Sequence, residues 1–223
     1  MTSDLTTEEY IDLLREGNPA ERRNAAWMLG RQRDPRIIDP LLTALNDPEA
    51  DVRLRAAEAL GGLRDPKTVA PLIQALSDDE ARVRAMVVNA LGRQGDYRAL
   101  EALVVLLGDP ATNVRINAAE ALYHLPDPRA VMALVNVMVA DEDANARHVA
   151  SRTLLQIGGE SVVDALLAVL AGEPDVETKI YCAEILGALF DQRAITALRE
   201  LAEGEDEAVQ ETARWALGKL RAD

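Results

Sequence analysis

EADVRLRAAEALGGLRDPKTVAPLIQALSD, residues 49–78, holds two helix-length apolar patterns separated by the break Asp65-Pro66. The rest of the chain copies it. Arg22, Arg53, Arg84 and Arg115 recur at intervals of 31 residues, and the column continues as Arg147, Lys179 and Gln210 at intervals of 32, 32 and 31. A period of this length is one supersecondary unit, and a chain of such units stacks each unit on its neighbours. Seven helix pairs then fill the 223 residues as one solenoid domain over 1–223, at about 5–33, 34–64, 65–95, 96–126, 127–158, 159–190 and 191–223.

Hydrophobic residues make up 48% of the chain and aromatic residues 3%, so the core must be Ala, Leu, Val and Ile, the composition of closely packed helices. No strand is expected. Thr6 with Glu9 reads as a capping box, and Asp34-Pro35, Asp65-Pro66, Asp96-Tyr97 and Asp127-Pro128 each open a new pair, with Asp as cap and, where it is present, Pro in the first turn. First helices are predicted near 7–16, 35–46, 66–77, 97–108, 128–140, 160–171 and 192–203. Second helices are predicted near 19–32, 49–63, 80–94, 111–125, 143–157, 174–189 and 206–221.

The recurring residues have physical reasons. Ala56-Ala57, Ala118-Ala119 and the glycines Gly30, Gly61, Gly92, Gly187 and Gly218 allow close approach of neighbouring second helices. Each arginine of the column follows an acid by six residues, as Asp47 precedes Arg53 and Asp109 precedes Arg115, which predicts a ladder of ion pairs along the stack. In the last unit both partners are gone, replaced by Gly204 and Gln210. Regularity should break between the fourth and fifth units, where Tyr123 and Leu155 replace the packing glycine and Gly158-Gly159 replaces Asp-Pro.

The pattern VRxxAAxALGxLxDPxxVxPLIxAL, from Val52 to Leu76, resembles the HEAT-like repeats grouped with the phycobilisome lyases. The resemblance covers the whole chain. It implies a right-handed α-solenoid with first helices on the convex side and second helices on the concave side. It implies little about activity, because repeats of this type serve bilin-lyase subunits, adaptors, designed binders and one metal-dependent hydroxylase.

A formal charge of −14 and a pI near 4.6 oppose nucleic acid, whose phosphates require a basic surface. Met1 to Leu5 shows no basic segment leading an apolar run, and no stretch reaches membrane-spanning length, so a cytoplasmic protein is expected, monomeric or weakly dimeric. The lone Cys182 occupies the column of Ala25, Ala56 and Ala118 and reads as a small core residue rather than a nucleophile. The histidines, His124 and His148, lack the His-Glu pairs of the hydroxylase, although Glu120 stands four residues before His124; no metal and no cofactor are predicted. No nucleophile motif or phosphate loop occurs, and no enzyme is expected.

What varies between units is the face expected to line the groove. Its candidates are Trp27, Leu54, Arg55, Glu58, Met86, Asn89, Ile116, Asn117, Glu120, His148, Val149, Arg152, Ile180, Tyr181, Glu184 and Trp215. Apolar side chains there need a reason, since an unpartnered helix face is usually filled with Glu, Lys and Gln. Charge divides likewise: the first-helix segments carry −17 and the second-helix segments +3, with the basic excess in the N-terminal half. The expectation is a non-catalytic module that grips a protein or peptide segment in its groove. The alternatives are a bilin lyase-type subunit, or a chaperone of phycobiliproteins, and an engineered binder on this scaffold.

Overall fold

The computed structural model describes residues 5–32 and 34–220. Among these residues there are fourteen α-helices and six 3-10 turns, with no strand, so the predicted all-α repeat architecture holds. Arg221, the expected end of the last helix, lies outside the described residues, as do Arg33 and most of the N-terminal stretch searched for an export signal.

The chain groups into two compact units, Met1–Leu125 and Pro126–Asp223. In the first, the pairs are α1 (Thr7–Glu16) with α2 (Pro19–Leu29), α3 (Ile38–Ala44) with α4 (Ala50–Leu63), α5 (Val69–Ala75) with α6 (Ala81–Gln94), and α7 (Leu100–Val105) with α8 (Thr112–Tyr123). In the second they are α9 (Val131–Ala140) with α10 (Ala144–Ile157), α11 (Gly159–Ala171) with α12 (Val176–Ala188), and α13 (Ile195–Ala202) with α14 (Glu207–Leu220).

The predicted first helices are corrected at their starts. Five of them open as a three-residue 3-10 turn, because the carboxylates of Asp34, Asp65, Asp96, Asp127 and Asp191 each accept the backbone N–H two residues on, at 2.9 Å. Tyr97 and Gln192 replace proline in two of these turns without changing them, so Asp sets the geometry. The predicted second helices 19–32 and 111–125 end at Leu29 and Tyr123, where the backbone tightens into bonds such as Gln32 N to Leu29 O and Leu125 N to Leu122 O.

Small residues bring second helices together as expected. A Cβ on Gly30 would lie 2.7 Å from the Ala59 Cβ, one on Gly61 2.6 Å from Ala90, one on Gly92 2.9 Å from Ala121, and one on Gly187 2.6 Å from Ala216. Gly218 is the exception: a Cβ there would meet nothing within 4 Å, so this glycine makes no close contact. In the second unit Leu155 and Ile185 occupy the glycine and alanine columns, and α10 meets α12 only sparsely.

The ion-pair ladder also forms, with a definite wiring. Arg22 grips Asp47 through Nε and Nη2 at 2.7 and 2.9 Å, and Arg53 with Asp78 and Arg84 with Asp109 repeat the bidentate bond, each reaching 25 residues forward into the next pair. The acid six residues behind contributes its main-chain carbonyl instead: Arg53 Nη1 donates to Asp47 O at 3.0 Å and Arg84 Nη1 to Asp78 O at 2.8 Å. Gln210 keeps this backward bond to Gly204 O at 2.7 Å, so the last column residue retains half the function. In the second unit Arg147 turns to Glu177 Oε2, 30 residues on, at 2.7 Å.

Burial alone would raise the carboxyls of Asp47, Asp78 and Asp109, but the guanidinium and the backbone N–H two residues on hold all three below the usual carboxylate range.

Candidate functional site

Every residue expected in the groove stands on a second helix. In the first unit α2, α4, α6 and α8 pack in succession, so Leu54, Met86 and Ile116, all half-buried, follow one another along one face with Arg55, Glu58, Asn89 and Asn117 beside them. Trp27 and Glu120 are exposed. Asn117 Nδ2 donates to Ala85 O at 3.1 Å and so ties α8 to α6.

Two open pockets lie on this face. One, about 520 Å³, is lined by Arg23, Asn24, Trp27, Asp51, Leu54, Arg55 and Arg82. The other, about 70 Å³, lies between α6 and α8 beside Asn89, Asn117, Glu120 and His124. In the larger one Asp51 faces both Arg82 and, at 3.9 Å, Arg23, while Arg55 bonds Glu58 at 2.6 Å. Arg31 sits 5.0 Å above the Trp27 ring. Asp51 and Arg82 were not among the residues expected from the sequence, because the expectation rested on columns that follow the arginine. The column two residues before it, Ala20, Asp51, Arg82 and Asn113, varies from repeat to repeat as the others do and was the available signal.

In the second unit Ile180 and Tyr181 are half-buried on α12, with His148, Arg152, Glu184 and Trp215 exposed. Val149 is a correction. It is only 5% exposed and belongs to the core of α10 rather than to a binding surface. Tyr181 donates its hydroxyl to Glu177 Oε1 at 3.0 Å, and its ring lies 6.5 Å from that of His148. Burial and then the Glu177 carboxylate raise the Tyr181 pKa. Trp215 shares the column of Trp27 and likewise lies under a cation, the Lys219 ammonium, at 5.6 Å.

Cys182 is fully buried, and burial pushes its thiol up to about 12, far from a reactive thiolate. Among the described residues no group of three His, Cys, Asp or Glu side chains is placed to hold a metal ion, and no helix is long and apolar enough to cross a membrane. Two further pockets, of about 480 and 330 Å³, lie around the ladder residues, near Arg22 with Asp47 and near Arg53 with Asp78.

Comparison with known proteins gives the same architecture. No curated protein matches the chain. Among solved structures it is similar to the complex of CpcE and CpcF of phycocyanin lyase from Nostoc sp. PCC7120, at 27% identity over 97% of this chain and 87% of that one, with a TM-score of 0.63. An importin β structure gives a TM-score of 0.79 at 13% identity, covering 96% of this chain and 35% of that one. A designed armadillo repeat protein in complex with the peptide (KR)4 gives 0.59 at 19% identity, covering 97% and 100%. The latter two show the fold alone. Residues 7–82, 69–155 and 163–223 match HEAT repeats, and with the helix pairs and inter-pair contacts described above, the chain belongs to the HEAT-repeat family.

Proposed function

We propose that this chain is a non-catalytic interaction module that holds a protein segment against its second-helix face. The observation that carries the reading is the succession of half-buried apolar side chains Leu54, Met86 and Ile116 on that face of the first unit, with Ile180 and Tyr181 on the second helix α12 of the other. Full burial of such a side chain is worth about 1.5–3 kcal/mol, and a partner covering these half-buried ones gains the part that is still exposed, before ordering costs. Proteins of similar fold support the reading, since one is a CpcE–CpcF complex and another holds a peptide.

The test is capture from a lysate of cells expressing the tagged full chain, followed by mass spectrometry and repetition with variants. Ile116→Glu with Tyr181→Ala should abolish capture with little change in circular dichroism or melting. Asp39→Lys with Glu101→Lys, on first helices, should leave it within a few-fold. The reverse pattern would move the function to the acidic first-helix face.

A second reading, a bilin lyase-type subunit, has the likeness to phycocyanin lyase in its favour. Co-expression with a bilin and its acceptor protein distinguishes the two: chromophore absorbance appearing on the acceptor only when this chain is present would establish the lyase role.

A further inference from the structure

We infer that the second unit contains a hinge at Gly158-Gly159, between α10 and α11, and that the ion pair of Arg147 with Glu177 is its latch. The inference goes beyond the interaction-module reading, because it concerns how the chain bends whether or not a partner is bound.

Three devices join consecutive repeats elsewhere, and all three are replaced at this junction. The first is the aspartate turn. Asp127 and Asp191 open the flanking repeats of this unit with a carboxylate fixed on the backbone N–H two residues on, as Asp34, Asp65 and Asp96 do in the first unit. α10 instead passes into α11 through Gly158 and Gly159, at φ of 59° and 77°, with no side-chain cap on the helix start. A Cβ on Gly159 would meet nothing within 4 Å, so packing does not hold this residue, and glycine absorbs a change of φ and ψ at low cost.

The second is the seat of glycine on alanine, where Leu155 and Ile185 now stand. α10 and α12 touch little, whereas α9 packs extensively on α10, and α12 and α13 on α14. Two bodies result, α9 with α10 and α12 with α13 and α14, and α11 joins them with few contacts to either. The third is the buried bidentate ion pair. Arg147 gives one nitrogen to Glu177 Oε2 at 2.7 Å, and that carboxylate is 45% exposed, against 9%, 7% and 7% for Asp47, Asp78 and Asp109.

A tie of this kind works as a latch. Arg147 is anchored on its own body by the bond from Nη1 to Asp141 O, and Glu177 on the other by the Tyr181 hydroxyl. Between them stands one half-exposed ion pair, which water and salt replace readily. Bending at the glycines moves His148 of α10 against Tyr181 of α12, whose rings lie 6.5 Å apart, so the hinge sits beneath the part of the second-helix face that carries Ile180 and Tyr181.

The test is the distribution of distances between paired spin labels on the full chain with Cys182→Ala, the residue that its column carries in other repeats. Gln156→Cys with Trp215→Cys spans the hinge, from α10 to α14; Gly62→Cys with Glu120→Cys occupies the same two columns in the first unit, from α4 to α8. Each pair is two helix steps apart, ~20 Å. In ~50 mM salt the hinge pair should give a distribution about twice as wide as the reference pair, and Glu177→Gln or ~1 M salt should widen it further while leaving the reference unchanged. Leu155→Gly with Ile185→Ala, which restores the seat, should narrow it to the reference width, with circular dichroism reporting that each variant is folded.

Equal widths for the two pairs overturn the hinge. A wide distribution that neither Glu177→Gln nor salt changes overturns the latch, and one that widens equally in the reference pair shows a general softening and overturns both. A folded Leu155→Gly, Ile185→Ala chain that stays wide overturns the part given to the missing seat.

Discussion

In the first unit each second helix is set against the next by a glycine on an alanine, and each of the first three repeats by a bidentate guanidinium on a carboxylate. In the second unit the glycine–alanine contact survives between α12 and α14, while α10 and α12 carry Leu155 and Ile185 in its place and touch little. The forward ion pair changes at the same junction: Glu173 holds the acid position with a left-handed φ of 52°, and Arg147 reaches past it to Glu177. Close helix approach and the buried ion pair are thus lost together.

The contrast can be broken at its tightest contact. Gly61→Val drives a branched side chain into the Ala90 Cβ and Cα, 2.6 and 2.7 Å from the new Cβ, and should destabilise by about 3 kcal/mol, measured by urea unfolding. Next in size is the ladder. Arg84→Ala strands Asp109, whose side chain is 7% exposed, and should cost roughly 1–3 kcal/mol; Arg147→Ala releases Glu177, 45% exposed, and should cost clearly less in the same measurement. Equal costs would show that burial of the acid does not distinguish the two units.

A smaller effect follows from pH. Because folding lowers the pKa values of Asp47, Asp78 and Asp109, their contribution is fully present above the unfolded value of about 4 and disappears as pH falls through the folded values. Stability measured from pH 6 down to about 2 should therefore fall, and Arg84→Ala should flatten that fall. The smallest change is Gly218→Ala: with nothing within 4 Å, it should stabilise α14 by about 0.5–1 kcal/mol, opposite in sign to the effect of adding a side chain at Gly61.

That opposition also shows what could be read from residues alone. The 31-residue column, the Asp-led turns and the glycines made the repeat architecture legible, because each is a local chemical requirement repeated many times. Gly218 looked like the other glycines, but its role depends on a neighbour that only three dimensions supply. Val149 shared a variable column with Met86, and its 5% exposure is set by how α10 turns, which a column does not record. For the ladder, spacing showed the participants but not which atoms meet: the aspartate behind each arginine offers its carbonyl, and the aspartate ahead its carboxylate. At the candidate site, the apolar members were visible as exceptions on a polar face. Asp51 and Arg82 were not, since charged residues on a helix surface are unremarkable until a pocket gathers them.

The wiring of the ladder has a consequence for how the chain is made. An arginine reaches 25 residues toward the C-terminus for its carboxylate, so Arg53 leaves the ribosome 25 residues ahead of Asp78. At roughly 5–20 residues per second, the partner arrives about one to five seconds later. During that interval the backward bond to Asp47 O is already available, and the newest helix pair holds its own inner turn while its strongest cation waits. Each of the first three repeats is locked by the synthesis of its successor, and there the order of translation becomes the order of assembly.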